Sequence, residues 1–196
     1  MEHQLTYSTS FEENKKAHEP LLWIGLVSII MFFAGLTSAV IVSSTSATWQ
    51  LFSLPSSFLN SSIAIVLSSV TYQAGYVFLK KQQQSIAILL FAITLTLSLL
   101  FVYFQYAGLS NLYQQGIFAT GSQSTTSSSY FYILTVLHIA HLFFGLISLL
   151  YVSIKTMLNK YNNNNYLGVK ISLTYWHFLG ILWVYLYVFL SVMMSK

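Results

Sequence analysis

Five long apolar stretches without a charged residue limit what this chain can fold into. Each is long enough to cross a hydrocarbon core of roughly 30 Å, which takes about 20 helical residues. They lie near residues 21–43, 58–79, 86–108, 130–154 and 171–194. Because a backbone in lipid must satisfy its own hydrogen bonds, such stretches favour helices. The sequence therefore predicts an all-α membrane protein, a five-transmembrane-helix bundle over residues 21–196 that follows a cytoplasmic N-terminal tail over 1–20.

The composition supports this class independently. Hydrophobic residues make up 56% of the chain and charged residues only 6%, whereas about a quarter of a soluble domain is charged. Nothing in so uncharged a chain suggests a nucleic-acid partner. No cysteine is present, which excludes disulfides, thiolate metal sites and cysteine nucleophiles.

The lysines predict the orientation of the bundle. They precede the first span or lie between spans two and three and between spans four and five, at Lys15, Lys16, Lys80, Lys81, Lys155, Lys160 and Lys170. The loops at 44–57 and 109–129 contain no lysine. Because positively charged loops stay in the cytoplasm, the N-terminus is expected to be cytoplasmic and the C-terminus, with Lys196, outside.

The acidic residues argue against a pump or an ion-coupled transporter. All of them, Glu2, Glu12, Glu13 and Glu19, precede the first predicted span. Ionisable groups inside a membrane usually mark an ion pathway or a proton relay, and the predicted spans hold no carboxylate. A small-solute transporter is also disfavoured, because the prolines, Pro20 and Pro55, fall outside the predicted spans.

The last two spans carry three histidines, for which two interpretations exist. His138 and His141 are three residues apart and share a helix face with Thr135, Gly145 and Ser148, a small and polar stripe typical of helix contacts in lipid. Alternatively, they join His177 as ligands of a metal or haem. Helical rise places His138 about 12 Å below the outer edge and His177 about 9 Å above the inner edge. Across a core of about 30 Å the histidines thus differ by about 5 to 10 Å in depth, whereas ligands of one metal must lie about 2 Å from it. Packing is therefore the preferred interpretation.

Other residues are predicted to serve packing or anchoring. Small residues recur at helical spacing in the first two spans, at Gly25, Ser28, Gly35, Ala64, Ser68 and Gly75. Such faces allow close approach by a neighbouring span or by a partner subunit. Trp23, Tyr175 and Trp176 lie near predicted inner span ends, which suits an aromatic belt at headgroup depth.

Two motifs in these last spans resemble subunit III of the haem-copper terminal oxidases, the cytochrome c oxidase family. They are L-T-V-L-H-I-A-H-L-F-F-G at 134–145 and Y-W-H-F at 175–178. Weaker matches are M-F-F-A-G at 31–35, L-N-S-S-I-A-I-V-L-S-S-V-T at 59–71, and Gln105. The motif residues expected to pack or to contact lipid or another subunit are Thr135, His138, His141, Gly145, Tyr175, Trp176, His177, Phe178 and Trp183.

The resemblance implies an accessory subunit of the short, five-span bacterial type, in a bacterial plasma membrane. It would pack beside subunit I in a complex that also contains subunits II and IV. That complex could in turn join a larger respiratory assembly. Haem and copper would belong to partner subunits, while this chain would bind no cofactor, carry no catalytic residue, and hold structural phospholipid. The alternative is a membrane b-type cytochrome that binds haem through its own histidines.

The sequence also departs from the family pattern at charged and polar positions. Ile29 stands where the family usually has a carboxylate, and Lys170 falls near another family glutamate. Gly180 replaces a common aspartate, and Gln73 replaces a histidine common in the second of these spans. A proton-supply role that depends on such side chains is therefore not expected of this chain, whereas a packing role is unaffected.

Overall fold

The computed structural model describes residues 2–121, 124–158 and 166–195, with the backbone alone for 2–18 and 195. The described residues form five helices and no strand: α1 Glu2–Ser43, α2 Ser57–Lys80, α3 Gln84–Gln114, α4 Thr126–Met157 and α5 Leu167–Ser195. Each contains a segment long and apolar enough to span a membrane. The predicted all-α, five-span fold is confirmed. Lys160 and Lys196, used to predict the orientation, lie outside the described residues.

The helices extend beyond the predicted apolar runs, because hydrogen bonding continues into polar residues until a cap ends it. α3 continues past residue 108 to Gln114, and Gly116 follows with a φ of 80°. α4 begins at Thr126 behind a capping box in which Thr125 and Ser128 exchange side-chain and backbone hydrogen bonds. Apolar residues alone therefore do not mark the ends of α3 and α4.

α1 joins the predicted tail and the first span in one helix. Its backbone is helical from Glu2, and its membrane-compatible segment runs from Glu19 to Ser43. Pro20, expected outside the span, lies inside this helix and near the start of the apolar segment. The sequence predicts a boundary between tail and span near residue 20 because polar residues give way to apolar ones there. The helical backbone continues through this change in polarity without a break.

Four of the helices form a ring, and α1 lies outside it. α2 contacts α3, α3 contacts α4, α4 contacts α5, and α5 closes the ring on α2. Among the described residues, α1 packs only against α4 and α5. Its buried face consists of Leu26, Phe33, Thr37 and Val40. Steps of seven, four and three residues place them on one side of the helix. One side of α1 is therefore without a neighbour among the described residues.

Glycines allow the closest approaches within the ring. A Cβ added to Gly75 of α2 would lie 2.6 Å from Cε1 of Phe91 on α3, and one added to Gly108 of α3 would lie 2.7 Å from Cζ of Phe58 on α2. Two aromatic rings thus fill the space that two missing side chains leave. This reciprocal packing explains why α2 and α3 form a tight antiparallel pair.

Candidate functional site

The interior face of α5 is bound to α2 by paired indoles and hydroxyls. The Trp176 indole N–H donates to Ser68 Oγ at 3.1 Å, and the Trp183 indole N–H donates to Ser62 Oγ at the same distance. Both tryptophans are about 1% exposed. Because a buried indole N–H needs a partner and lipid offers none, these bonds fix where α5 lies along α2.

The belt role predicted for Trp176 is therefore wrong, since its ring lies in the protein interior. A position near the end of an apolar run does not say whether a side chain points to lipid or to the core. Trp23 is 60% exposed, as a lipid-facing aromatic residue would be.

A three-residue hydroxyl cluster continues the same contact toward the other end of α5. The Tyr72 hydroxyl donates to Ser172 Oγ at 2.9 Å, and Ser148 Oγ donates to Ser172 Oγ at 2.8 Å. Residues of α2, α4 and α5 thereby meet at one serine. Gly145, one turn before Ser148, packs on Leu179 and Trp176, where an added Cβ would lie 2.9 Å from Leu179 Cδ1.

His138 is fully buried in the centre of the ring. Its imidazole lies 5.0 Å from the Trp183 ring, at an interplanar angle of 36°, and 6.3 Å from the Phe101 ring, measured between centroids. Neither ring nitrogen has a hydrogen-bond partner among the described residues. Thr135, one turn earlier on α4, is also fully buried and has an unpartnered hydroxyl.

His141 has different neighbours from His138. Its Nδ1 lies 2.7 Å from the Leu137 carbonyl oxygen, and its ring contacts the Phe33 ring of α1 at 5.7 Å between centroids. The Tyr175 hydroxyl donates to the His141 carbonyl oxygen at 3.0 Å. Three residues turn a helix about 300°, so the two histidines are offset by about 60° and reach different helices. The single face predicted for them is thus divided between two interfaces.

His177 lies at the edge of an apolar groove beside α5. Its Nε2 is 3.2 Å from Gln73 Oε1 of α2. The groove has a volume of about 690 Å³ and is bounded by α2 and α5. Its lining consists of Val66, Ser69, Val70, Gln73, His177, Gly180, Ile181, Val184 and Tyr185. Phe178, the next motif residue, is partly buried against the core.

The three histidines do not converge on one point. His138 packs among aromatic rings, His141 contacts α1, and His177 pairs with Gln73 at the groove. Within the described residues, no three histidine or acidic side chains form a group that could hold a metal ion. The motif residues therefore join helices, and their geometry offers no shared ligand position for a metal.

The predicted small-residue faces have two different environments. On α2, Ala64, Ser68 and Gly75 are buried against neighbouring helices. On α1, Gly25, Ser28 and Gly35 lie on the exposed side, and an added Cβ at either glycine would meet nothing within 4 Å. The small-residue pattern predicts close contact in both helices, but within the part of the chain that the structure describes only the α2 face is covered by neighbouring helices.

Several residues that hold this site together were missed by sequence reasoning. Ser62, Tyr72 and Ser172 receive or donate the hydrogen bonds that join α2 to α5. Serines are frequent in this chain, so only their position on the buried side of α2 or α5 could have singled them out. Gln105, noted only for the resemblance, donates through Nε2 to Ser61 Oγ at 2.9 Å and is fully buried.

Two of the departures from the family pattern have local structural explanations. Lys170 forms an ion pair with Glu19, with 2.7 Å between Nζ and Oε1 and both side chains substantially exposed. A Cβ added to Gly180 would lie 3.1 Å from Ser69 Oγ, which makes this position tight for a larger side chain. At these two positions the chain has a surface ion pair and a close helix contact.

A polytopic helical bundle whose buried polar residues join its helices to one another has the character of a structural membrane subunit. A family profile described as "Cytochrome c oxidase subunit III" matches residues 17–195. The chain therefore belongs to the cytochrome c oxidase subunit III family. As such it is an accessory subunit III of a haem-copper oxidase, as the two terminal motifs implied.

Individual relatives agree with this assignment. The chain is 27% identical over 197 residues to the cytochrome bo(3) ubiquinol oxidase subunit 3 of Buchnera aphidicola, covering 93% of each chain. It is 30% identical over 173 residues to a probable cytochrome c oxidase subunit 3 of Nocardia farcinica, covering 85% of this chain and 82% of that one. It is 25% identical over 140 residues to a probable quinol oxidase subunit 3 of Staphylococcus saprophyticus, with 71% and 68% covered.

Proposed function

We propose that this subunit packs beside subunit I of the oxidase, holds structural phospholipid, and limits exposure of the proton-entry side of subunit I. The observation that carries the proposal is the contrast between a closed interior and an open exterior. Inside the ring, indoles, hydroxyls and aromatic rings bind the helices to one another. Outside it, α1 has an unoccupied small-residue face and α5 borders a groove.

The proposed contact with subunit I is the outer face of α1. Gly25, Ser28 and Gly35 allow another helix to approach closely, and no part of the described chain occupies that side. Because lipid tails are as apolar as a partner helix, close packing over small residues is what favours a helix neighbour over lipid here. Subunits II and IV, and any larger respiratory assembly, would join through the same complex.

The proposed site for phospholipid is the groove bounded by α2 and α5. Aliphatic side chains such as Val66, Val70 and Val184 cover most of its wall, which suits an acyl chain. Among its polar residues, Gln73 and His177 bond to each other, and the Tyr185 hydroxyl donates to Thr37 of α1, while most of the wall is apolar. A bound acyl chain would fill the space that α1 leaves open beside α5.

The proposed setting is a bacterial plasma membrane with the N-terminus in the cytoplasm. The lysine distribution supports the orientation, and the bacterial relatives support the location. In this orientation the Gln73 and His177 pair lies toward the cytoplasmic leaflet, the side on which protons enter an oxidase.

Purification in mild detergent through a C-terminal tag tests the assignment. We expect a haem-bearing partner to co-purify, and no reduced-minus-oxidised haem spectrum from this chain alone. Haem bound to the isolated chain, with no oxidase partner, would instead favour the b-type cytochrome.

Matched variants test the two proposed surfaces. Gly35→Leu is expected to reduce recovery of the partner, whereas Ala92→Leu on the exposed side of α3 is expected to leave it unchanged. Val70→Trp in the groove should lower the phospholipid retained per chain in native mass spectrometry. Val136→Trp, at an exposed position of α4 away from the groove, is the control. Equal effects within either pair would contradict the corresponding surface.

A further inference from the structure

A group of unpartnered polar atoms lies in the centre of the bundle. Gln105 Oε1, Thr135 Oγ1 and both ring nitrogens of His138 are buried and have no hydrogen-bond partner among the described residues. All three side chains are 0% exposed. Buried polar groups in folded proteins are normally bonded to protein or to ordered water, so each exception requires an explanation.

The antiparallel packing of α3 and α4 brings these atoms to one level. Phe101 of α3 contacts His138 of α4, and the Tyr132 hydroxyl of α4 reaches the Leu109 carbonyl oxygen of α3. Gln105 lies midway between Phe101 and Leu109, on the same face of α3. On α4, the residue at the corresponding level is Thr135, which lies midway between Tyr132 and His138. This register places Gln105 of α3 within about one helical turn of Thr135 and His138 of α4 along the bundle.

The hydrogen-bonding roles of these atoms are complementary to those of water. The Gln105 amide is oriented by its donation to Ser61 Oγ, which leaves Oε1 as an acceptor. A neutral imidazole has one N–H donor and one acceptor nitrogen, and a threonine hydroxyl can donate. The two nitrogens of one imidazole point away from each other, so a single water molecule can bond only one of them. The site thus offers three groups to one water: Gln105 Oε1, the Thr135 hydroxyl and one nitrogen of His138. Buried waters typically make about three hydrogen bonds.

Thr135 differs from the other buried threonines of the membrane segments in a way that points to a ligand. Thr37, Thr94 and Thr156 each donate to the carbonyl oxygen four residues earlier in their own helix. The Thr135 hydroxyl makes no such bond. Because this local bond is readily available in a helix, its absence leaves the Thr135 hydroxyl available to a partner outside its own helix.

His138 is held in place rather than free to turn toward another partner. The Trp183 ring lies against it at 5.0 Å and the Phe101 ring at 6.3 Å. Trp183 is itself fixed by its bond to Ser62. The imidazole thus has a defined position between Phe101 of α3 and Trp183 of α5.

We propose that an ordered water molecule binds between α3 and α4, bridging Gln105 Oε1, Thr135 Oγ1 and the imidazole of His138. This water gives the fully buried histidine a hydrogen bond and joins α4 to α3, and through Gln105 and Ser61 to α2. The family motif around His138 then has a specific task, which is to bind a water that fixes the relative positions of three helices.

Solid-state NMR on the full chain in lipid, with ¹⁵N-labelled histidine, tests this site. His138→Phe identifies the His138 signals by their disappearance. We expect magnetisation transfer from water protons to a His138 ring nitrogen, and its loss in Thr135→Val and in Gln105→Leu, which remove one hydrogen-bonding group each. The same spectra contain the His141 signals as an internal control, because His141 bonds to a backbone carbonyl.

The outcomes are distinguishable even if one variant fails to fold. Transfer from water to His138 in the unsubstituted chain, reduced in either folded variant, supports the site. Absence of that transfer, or a direct coupling between the His138 ring and the Gln105 amide, would overturn it. Transfer that is unchanged in both folded variants would also overturn it, because these residues would then not bind the water.

Discussion

Adding one methyl group at Gly75 tests the packing of α2 on α3 most directly. A Cβ there would lie 2.6 Å from Cε1 and 2.8 Å from Cδ1 of Phe91, closer than nonbonded carbons approach. Phe91 is 1% exposed and lies edge-on to the Tyr72 ring at 5.4 Å between centroids, so it has little space in which to move. Overpacking of this kind costs about 1–3 kcal/mol.

A second glycine isolates that cost. Alanine is favoured over glycine in a helix by about 1 kcal/mol, and this gain applies to both Gly75→Ala and Gly35→Ala. An added Cβ at Gly35 meets nothing within 4 Å. The helix preference therefore cancels between the two variants, and Gly75→Ala should be less stable than Gly35→Ala by the overpacking cost of about 1–3 kcal/mol.

The assay is reversible unfolding of the isolated chain in mixed micelles, followed by tryptophan fluorescence. Trp176 and Trp183 report on the ring interior because both are buried. Replacing Phe91 by Leu in the Gly75→Ala background removes the ring edge and should recover part of the loss. Equal stability of Gly75→Ala and Gly35→Ala would refute the reasoning, since it would show that Phe91 can retreat without cost.

Two further variants test individual polar contacts. Tyr72→Phe removes the hydroxyl that donates to Ser172 and should lower the free energy of unfolding by about 1 kcal/mol. The control, Tyr106→Phe, changes a residue that is 72% exposed and should leave the free energy of unfolding unchanged. Equal values for the two variants would contradict this prediction. Lys170→Gln breaks the ion pair with Glu19, yet the unfolding midpoint should not shift, because both side chains are well exposed. A decrease in the free energy of unfolding as large as that of Tyr72→Phe would show instead that the ion pair stabilises the packing of α1.

The buried hydrogen bonds show how α5 is positioned in a bundle that lacks buried ion pairs among its described residues. Trp176 and Trp183 lie seven residues apart, two turns along one face of α5, and their partners Ser68 and Ser62 lie six apart on α2. Two bonds at this separation define both the position and the rotation of α5. In lipid, where apolar contacts alone do not select one helix register, such bonds contribute specificity.

The sequence by itself determined the class of the protein and the number of spans. Length, lack of charge and lysine-free alternate loops follow directly from what a bilayer tolerates, so they can be read along the chain. The two motifs also pointed to the family correctly. In each case the information lies in neighbouring residues, and no knowledge of helix contacts is needed.

Only the tertiary structure decided which side of each helix is buried. An apolar helix in a membrane protein is hydrophobic on both its lipid side and its protein side, so periodicity barely distinguishes them. For that reason the sequence could not place Trp176 in the core, separate His138 from His141, or show that Gly75 is covered while Gly35 is open. Those distinctions depend on the register of one helix against another, which buried hydroxyl, amide and indole groups establish when the helices meet.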